Sequence, residues 1–364
     1  MFDAFLGNAR VVADLRRLLG EQRLPQTILF AGPAGVGKAT LARLVAASLN
    51  CASAGADPCG GCSACRRIQQ SDLWLEPHRA LIEERTRLAP EKRRDNPLVI
   101  STHPEFLIFP PDGPLEQVSI EQVRRLKNLS QFGPSEGRRR LFLIDRADRM
   151  DPPAANSLLK VLEEPPPYLT LIVTAENAYD LLPTIRSRAV PFYFAPLTRP
   201  EMERFMDDRK GETAERARRI AWAQGSPGRA LAMDVAGYDR RRRAMLALLE
   251  AALGSSFAEL LPYTEPIGRS KQEKLEAQIE VLYELLRDLA RARESAAAEL
   301  IHEDLRPALE AMAKRVDFDW LWRALEQVDA LDALGRRNIQ KQIALEALAV
   351  ALRPAGRPLS MAGN

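Results

Sequence analysis

Residues 27–40 read Thr27-Ile28-Leu29-Phe30-Ala31-Gly32-Pro33-Ala34-Gly35-Val36-Gly37-Lys38-Ala39-Thr40. Thr27 to Ala31 is a short apolar run bounded by turn residues, which predicts a buried strand. Gly32, Gly35 and Gly37 punctuate a loop ending in Lys38, and Ala39 to Leu49 carries a helical pattern. Strand, glycine loop and helix in that order open an α/β nucleotide-binding unit. In such a loop, backbone N–H groups and the helix N-terminus cradle phosphates while the lysine reaches the outer ones. Gly32 to Lys38 fits the first seven positions of the pattern; the eighth should be a Ser or Thr whose hydroxyl binds Mg²⁺. Here it is Ala39. Thr40 carries a hydroxyl, but one residue further on it is turned by about 100° around the helix. Metal-assisted hydrolysis is weakened by this change alone.

The flanking sequence extends the same unit. Asn8 to Gly20 has helical spacing of apolar residues, and Leu141-Phe142-Leu143-Ile144 ends in Asp145. Leu169 to Thr174 is a further apolar run, and the helix between the two, Pro153 to Glu164, is stopped by Pro165-Pro166-Pro167. These runs read as parallel strands separated by helices. After Pro196 the strand signal disappears. Helical patterns cover Arg199 to Asp234 and Gly237 to Arg353, with long amphipathic stretches at Ser270 to Ala296 and Leu321 to Leu352 suited to a bundle. The fold class expected is α/β followed by all-α, divided at about 1–195, 196–235 and 236–353, with a disordered tail at 354–364. Asp72 to Ile100 is highly charged and reads as a surface insertion. No internal repeat is present.

Composition sets the outer limits. The 364 residues predict two or three domains. A net charge of +3, from 52 basic and 49 acidic residues, confines any basic surface to local patches. Hydrophobic residues at 46% and charged ones at 28% match an ordinary globular protein. Aromatics at 6% are too sparse for a platform that stacks many single-stranded bases. The beginning of the sequence has no secretory pattern and no apolar run is long enough to span a membrane, so a cytoplasmic protein is expected.

All four cysteines lie in one segment, with Cys59, Cys62 and Cys65 at C-x2-C-x2-C spacing and Cys51 at the end of the preceding helix. Two-residue gaps let thiolates converge on one tetrahedral ion, which predicts a structural Zn²⁺ site. Four thiolates leave no open position for water, so the role expected is to pin a small knob rather than to catalyse.

With these motifs goes a wider resemblance. Arg23-Leu24-Pro25 leads into the phosphate loop, the cysteine knob follows its helix, and His103-Pro104-Glu105-Phe106 comes next. The run Ala155-Asn156-Ser157-Leu158-Leu159-Lys160-Val161-Leu162-Glu163-Glu164-Pro165-Pro166 is highly specific, and Leu182 to Arg188 and Gly225-Ser226-Pro227-Gly228-Arg229-Ala230 follow in order. Together these resemble the bacterial DNA polymerase III clamp-loader family, AAA+ proteins, over most of residues 1–234. The last third resembles the family's collar only in length and composition.

The resemblance implies a pentameric machine that places a sliding clamp on primer-template DNA, with gamma/tau subunits as ATPase motors and delta opening the clamp. It implies phosphate contacts at Gly32, Gly35, Gly37, Lys38, Ala39 and Thr40 and an acidic Mg²⁺ support at Asp145. Sensor positions are implied at Thr174 and Arg229, and at Arg188 an arginine that reaches a neighbour's ATP site. Motors usually carry a glutamate after the strand-end aspartate to orient the attacking water. Here that residue is Arg146, which cannot accept a proton. Without the Mg²⁺ hydroxyl and that glutamate, but with Arg188, the pattern is similar to the delta-prime subunit. That subunit completes the ring as a stator, has no small-molecule substrate or membrane of its own, and would bind ATP without efficient hydrolysis. In Ser187-Arg188-Ala189 the family's third residue, cysteine, is replaced.

Other readings stay open. Gly37-Lys38 and Asp145 also suit a self-sufficient gamma/tau-type motor or a DNA-repair ATPase. The cysteines with Arg138-Arg139-Arg140 and Arg240 to Arg243 also suit a zinc-dependent nucleic-acid binder. The arginine runs read better as solvated charge, and Glu163 and Glu164 as a packing and subunit-contact element. His78, His103 and His302 call for no special role.

Overall fold

The computed structural model describes residues 1–53, 55–207, 213–254, 258, 260–270, 274–335 and 340–353. The expected disordered tail lies outside them. Among these residues two compact units separate: one runs to residue 207 and takes in 225–231, the other holds 213–224 and the residues from 232 onward.

The first unit is built on six strands: β1 (Thr27–Ala31), β2 (Ile100–His103), β3 (Phe106–Phe109), β4 (Arg140–Ile144), β5 (Leu169–Ala175) and β6 (Val190–Tyr193). Their order is β2-β3-β4-β5-β1-β6, parallel throughout except for the β2–β3 hairpin at one edge. β1, β4 and β5 are buried along their whole length, which is why they read as continuous apolar runs. Strand alternation sends Ile28 and Phe30 into one cluster with Leu15, Leu41 and Val45, from helices Ala9–Gly20 and Lys38–Asn50. Leu29 and Ala31 enter the opposite cluster with Val123, Leu126 and Leu158, from helices Ile120–Ser130 and Pro152–Glu163. The sheet is thus covered on both faces, and the carboxyl ends of β1, β4 and β5 are the natural place for a ligand.

The charged segment 72–100 forms helices Glu76–Thr86 and Pro90–Asp95, each entered through a proline in its first turn. Its charge is not all on the surface. Arg85 is buried and makes a bidentate pair with Asp112, Nε to Oδ1 at 2.8 Å and Nη2 to Oδ2 at 2.6 Å. Arg43 pairs with Asp72 at 2.7 Å where the segment begins.

The second unit is helical: Thr213–Trp222, Val235–Ala252, Leu261–Arg269, Leu275–Glu294, Arg306–Ala313, Phe318–Gly335 and Lys341–Ala351. The amphipathic pattern over 321–352 is carried by two helices rather than one. The core is mostly aliphatic, with Leu248, Leu282, Leu285, Leu289, Ala324 and Leu345 fully buried beside Trp222, Tyr238 and Trp320. No helix among the described residues is long and apolar enough to cross a membrane.

Two sequence expectations are corrected. Within the arginine runs, Arg140 and Arg242 are buried rather than solvated. Arg140 donates from Nη1 to the carbonyls of Leu129 (2.7 Å) and Phe132 (2.9 Å) and lies beside Glu105. Arg242 donates to Asp304, with Nη1 to Oδ1 at 2.6 Å, and lies over the Trp222 ring 4.4 Å from its centroid. His302, given no role by the sequence, is the hub of a buried network. Its backbone N–H and Nδ1 both lie 2.9 Å from Asp288 Oδ2, and its Nε2 is 2.9 Å from the Tyr238 hydroxyl, which also bonds Glu284.

Candidate functional site

The loop Gly32 to Gly37 joins β1 to helix Lys38–Asn50 and lines a cavity of about 550 Å³. Gly35 and Gly37 have φ of +74° and +102°, open to glycine at no steric cost. Space alone would also demand glycine: a Cβ on Gly35 would meet the Ser226 hydroxyl, and one on Gly228 would lie 2.8 Å from Gly35 Cα. The loop is tied to Gly225-Ser226-Pro227-Gly228 by two bonds, Ser226 Oγ to the Ala34 carbonyl at 2.8 Å and Gly228 N–H to the Gly35 carbonyl at 2.9 Å. The glycine-rich motif near residue 225 is therefore part of the loop's support.

Lys38 is buried, and its Nζ donates to the carbonyls of Gly32 (2.5 Å) and Pro33 (2.7 Å). Burial lowers its pKa, against the opposing pull of Asp145, Glu176 and Asp148. Ala39 and Thr40 line the cavity, and the Thr40 hydroxyl accepts from Arg43 at 3.3 Å.

At the ends of β4 and β5 the acidic position is already engaged. The Thr174 hydroxyl donates to Asp145 Oδ1 at 2.7 Å and accepts the Arg146 N–H at 2.8 Å. Arg146, in the left-handed region at φ 54°, lines the cavity and pairs with Glu116 (3.0 Å) and Glu176 (3.6 Å). Phosphate sites of this class hold Mg²⁺ through a helix hydroxyl and a strand-end aspartate. Ala39 offers no oxygen, one Asp145 oxygen is shared with Thr174, and a guanidinium follows directly, so the donors present do not fit the ion. Asp148, half-buried with its carboxyl pushed up by burial, is not part of the cavity wall.

Arg229 lies in helix Pro227–Ala232, which gives the cavity Pro227 and Gly228 but not Arg229 itself. Arg188 sits elsewhere on the unit, just past the short helix Pro183–Arg186, partly exposed. It donates from Nη2 to Glu163 Oε1 at 2.8 Å and from Nη1 to the Thr184 carbonyl at 3.0 Å. Glu163, read from sequence only as a packing and contact residue, holds that guanidinium.

The segment after Ser71 was not expected at the site, yet Asp72, Leu73 and Trp74 form one wall of the cavity. The Trp74 N–H bonds Asp72 Oδ1 at 3.1 Å, and Arg43 clamps the other Asp72 oxygen. No local pattern marked these residues, because their place depends on an ion pair to a helix about thirty residues earlier.

The cysteines converge as their spacing predicts. All four sulfurs lie within 4.8 Å of one another, and tetrahedral Zn–S bonds of about 2.3 Å would set them about 3.8 Å apart. Cys51 caps the phosphate-loop helix and Cys62 caps helix Ser63–Gln69. Backbone N–H groups of Cys59, Cys62 and Cys65 point at the sulfurs of Cys51, Cys59 and Cys62 at 3.3, 3.4 and 3.5 Å. The N–H groups of Cys62 and Gly61 bring the Cys59 thiol down to about 6, while burial pushes the Cys65 thiol up to about 12. Backbone donors that favour thiolate, on sulfurs this close, fit a metal.

Comparison with known proteins covers both units. The family model described as DNA polymerase III, delta subunit, matches residues 7–198, and that described as DNA polymerase III, delta subunit, C terminal, matches residues 239–353. The chain is 31% identical over 198 residues to the DNA polymerase III subunit gamma/tau of Mycobacterium bovis, covering 54% of this chain and 29% of that protein. It is 31% identical over 188 residues to subunit delta′ of Bacillus subtilis (52% and 47%) and 31% identical over 218 residues to subunit delta′ of Pseudomonas aeruginosa (58% and 56%). The chain thus spans between about a quarter and just over half the length of the relatives it matches. With its α/β unit and its helical unit each matched in order, the chain belongs to the DNA polymerase III delta subunit family.

Proposed function

We propose that this chain is a delta-prime-type subunit of a bacterial clamp loader, a stator that works in the cytoplasm beside gamma/tau and delta to place a sliding clamp on primer-template DNA. In this reading residues 1–195 are the AAA+ domain, 196–235 a lid and 236–353 a collar that joins the ring. Zn²⁺ holds the cysteine knob, and DNA is met through the assembly.

The observation that carries the reading is the contrast between two arginines. Arg146 stands where a motor needs a proton acceptor and sits after an aspartate already bound by Thr174, so the chain's own cavity is not set up to fire. Arg188 is partly exposed, on a guanidinium perch built by Glu163 and the Thr184 carbonyl. A guanidinium given in trans stabilises charge on the transferring phosphoryl group and is worth about 10³ to 10⁵ in rate. Steady-state ATP turnover tests this with the chain alone, with gamma/tau and delta, and with all three plus clamp and primed DNA. The chain alone is expected to be silent and the mixture stimulated. Arg188→Ala is expected to abolish the stimulation while leaving the circular dichroism spectrum unchanged. Substantial turnover by the chain alone, lost with Lys38→Ala, would make it a motor instead.

A further inference from the structure

We infer that the cavity takes a nucleoside polyphosphate without a divalent cation, the Arg146 guanidinium standing in for the charge that Mg²⁺ carries in related sites. The inference rests on reading the cavity as a nucleotide site.

A polyphosphate entering a part-buried cavity must have its charge balanced there. The two protein oxygens that would bring a metal are compromised at Ala39 and Asp145, as described above. The cationic side chains on the cavity wall are Lys38, Arg43 and Arg146, facing the carboxylates Asp72, Asp145 and Glu176. Arg43 is committed to Asp72 at 2.7 Å, with its side chain largely covered. Arg146 is held differently. Its pairs with Glu116 and Glu176 are 3.0 and 3.6 Å long between side chains 30–44% exposed. Ion pairs this exposed are weak, and phosphate can displace them at small cost. Its Nε is buried without a hydrogen-bond partner, so that donor has no protein acceptor to give up. Its backbone is fixed by the Thr174 hydroxyl next to Asp145, and both it and Lys38 line the cavity. A guanidinium is charged at every working pH and matches phosphate oxygens two at a time, which an ammonium does not.

The test is the affinity of the full chain for a fluorescent ATP analogue, in excess Mg²⁺ and in buffer stripped of divalent cations by a resin, which leaves the cysteine site intact. The two dissociation constants are expected to agree within about threefold, and Arg146→Asn to weaken metal-free binding by about tenfold or more. Asparagine removes the charge yet tolerates the left-handed backbone, and circular dichroism checks that this variant is folded. Arg146→Lys, which keeps a cation without the fork, is expected to recover part of the affinity. Binding that requires Mg²⁺, or an Arg146→Asn variant that binds like the parent, overturns the inference while leaving the nucleotide site standing. Failure to bind under both conditions removes the nucleotide reading itself.

Discussion

Arg138, Arg139 and Arg140 are consecutive in sequence and energetically unlike. Arg138 is exposed, whereas Arg140 is buried at the start of β4 beside a fully buried Glu105. Removing one member of a buried pair leaves an uncompensated charge, so Arg140→Ala is expected to destabilise the fold by about 3–5 kcal/mol in urea unfolding. Arg138→Ala is expected to change stability by less than about 0.5 kcal/mol. Burial pushes the Glu105 carboxyl up, but the N–H groups of Glu136 and Ser135, the Ser135 hydroxyl and Arg140 outweigh it and hold the group below its ordinary value of 4.5. A carboxyl depressed in the folded state stabilises above its unfolded pKa, and that contribution is lost as pH falls through the folded value. Stability plotted against pH should therefore drop below about pH 4.5 in the parent, and Glu105→Gln should flatten that limb. None of this was visible in the run of three arginines, because alternation along a strand is a signal only once the strand's first residue is known.

Elements built from local chemistry were the most legible. β1 begins and ends where its apolar run does, and the loop after it is the glycine pattern itself. The cysteine cluster was equally readable, since sequence gaps of two residues fix which sulfurs can meet. The expected outcome of metal analysis is one zinc per chain, lost in Cys65→Ser, whose sulfur is the most deeply placed with that of Cys51. Stripping the ion with a thiol-reactive chelating protocol should lower the thermal midpoint, because the knob then loses its cross-link. By contrast, the insertion's helices could be seen as charged but not as anchored. The Arg85–Asp112 pair spans 27 residues, and Arg188–Glu163 spans 25. Pairings at such separations leave no periodic trace.

At the scale of the molecule, the described residues form separate hydrophobic clusters, two flanking the sheet and one in the helical unit. The helical core is lined by aliphatic side chains at helical spacing, and it was legible for that reason, whereas the His302 network inside it was not. Asp288 comes 14 residues before His302, and Tyr238 comes 64 before it. Leu285 is fully buried in this core, and Leu285→Ala is expected to cost about 2–5 kcal/mol in chemical denaturation.

Trp74 gives the molecule an optical handle of its own. It is 49% exposed on the cavity wall, whereas Trp222 and Trp320 are buried, and Trp322 lies in the other unit. Light emitted by the indole at position 74 is sensitive to whatever fills the space beside it. The difference between the emission of the parent and that of Trp74→Phe isolates this one ring. Occupancy of the cavity can thus be followed in the unlabelled protein and in real time.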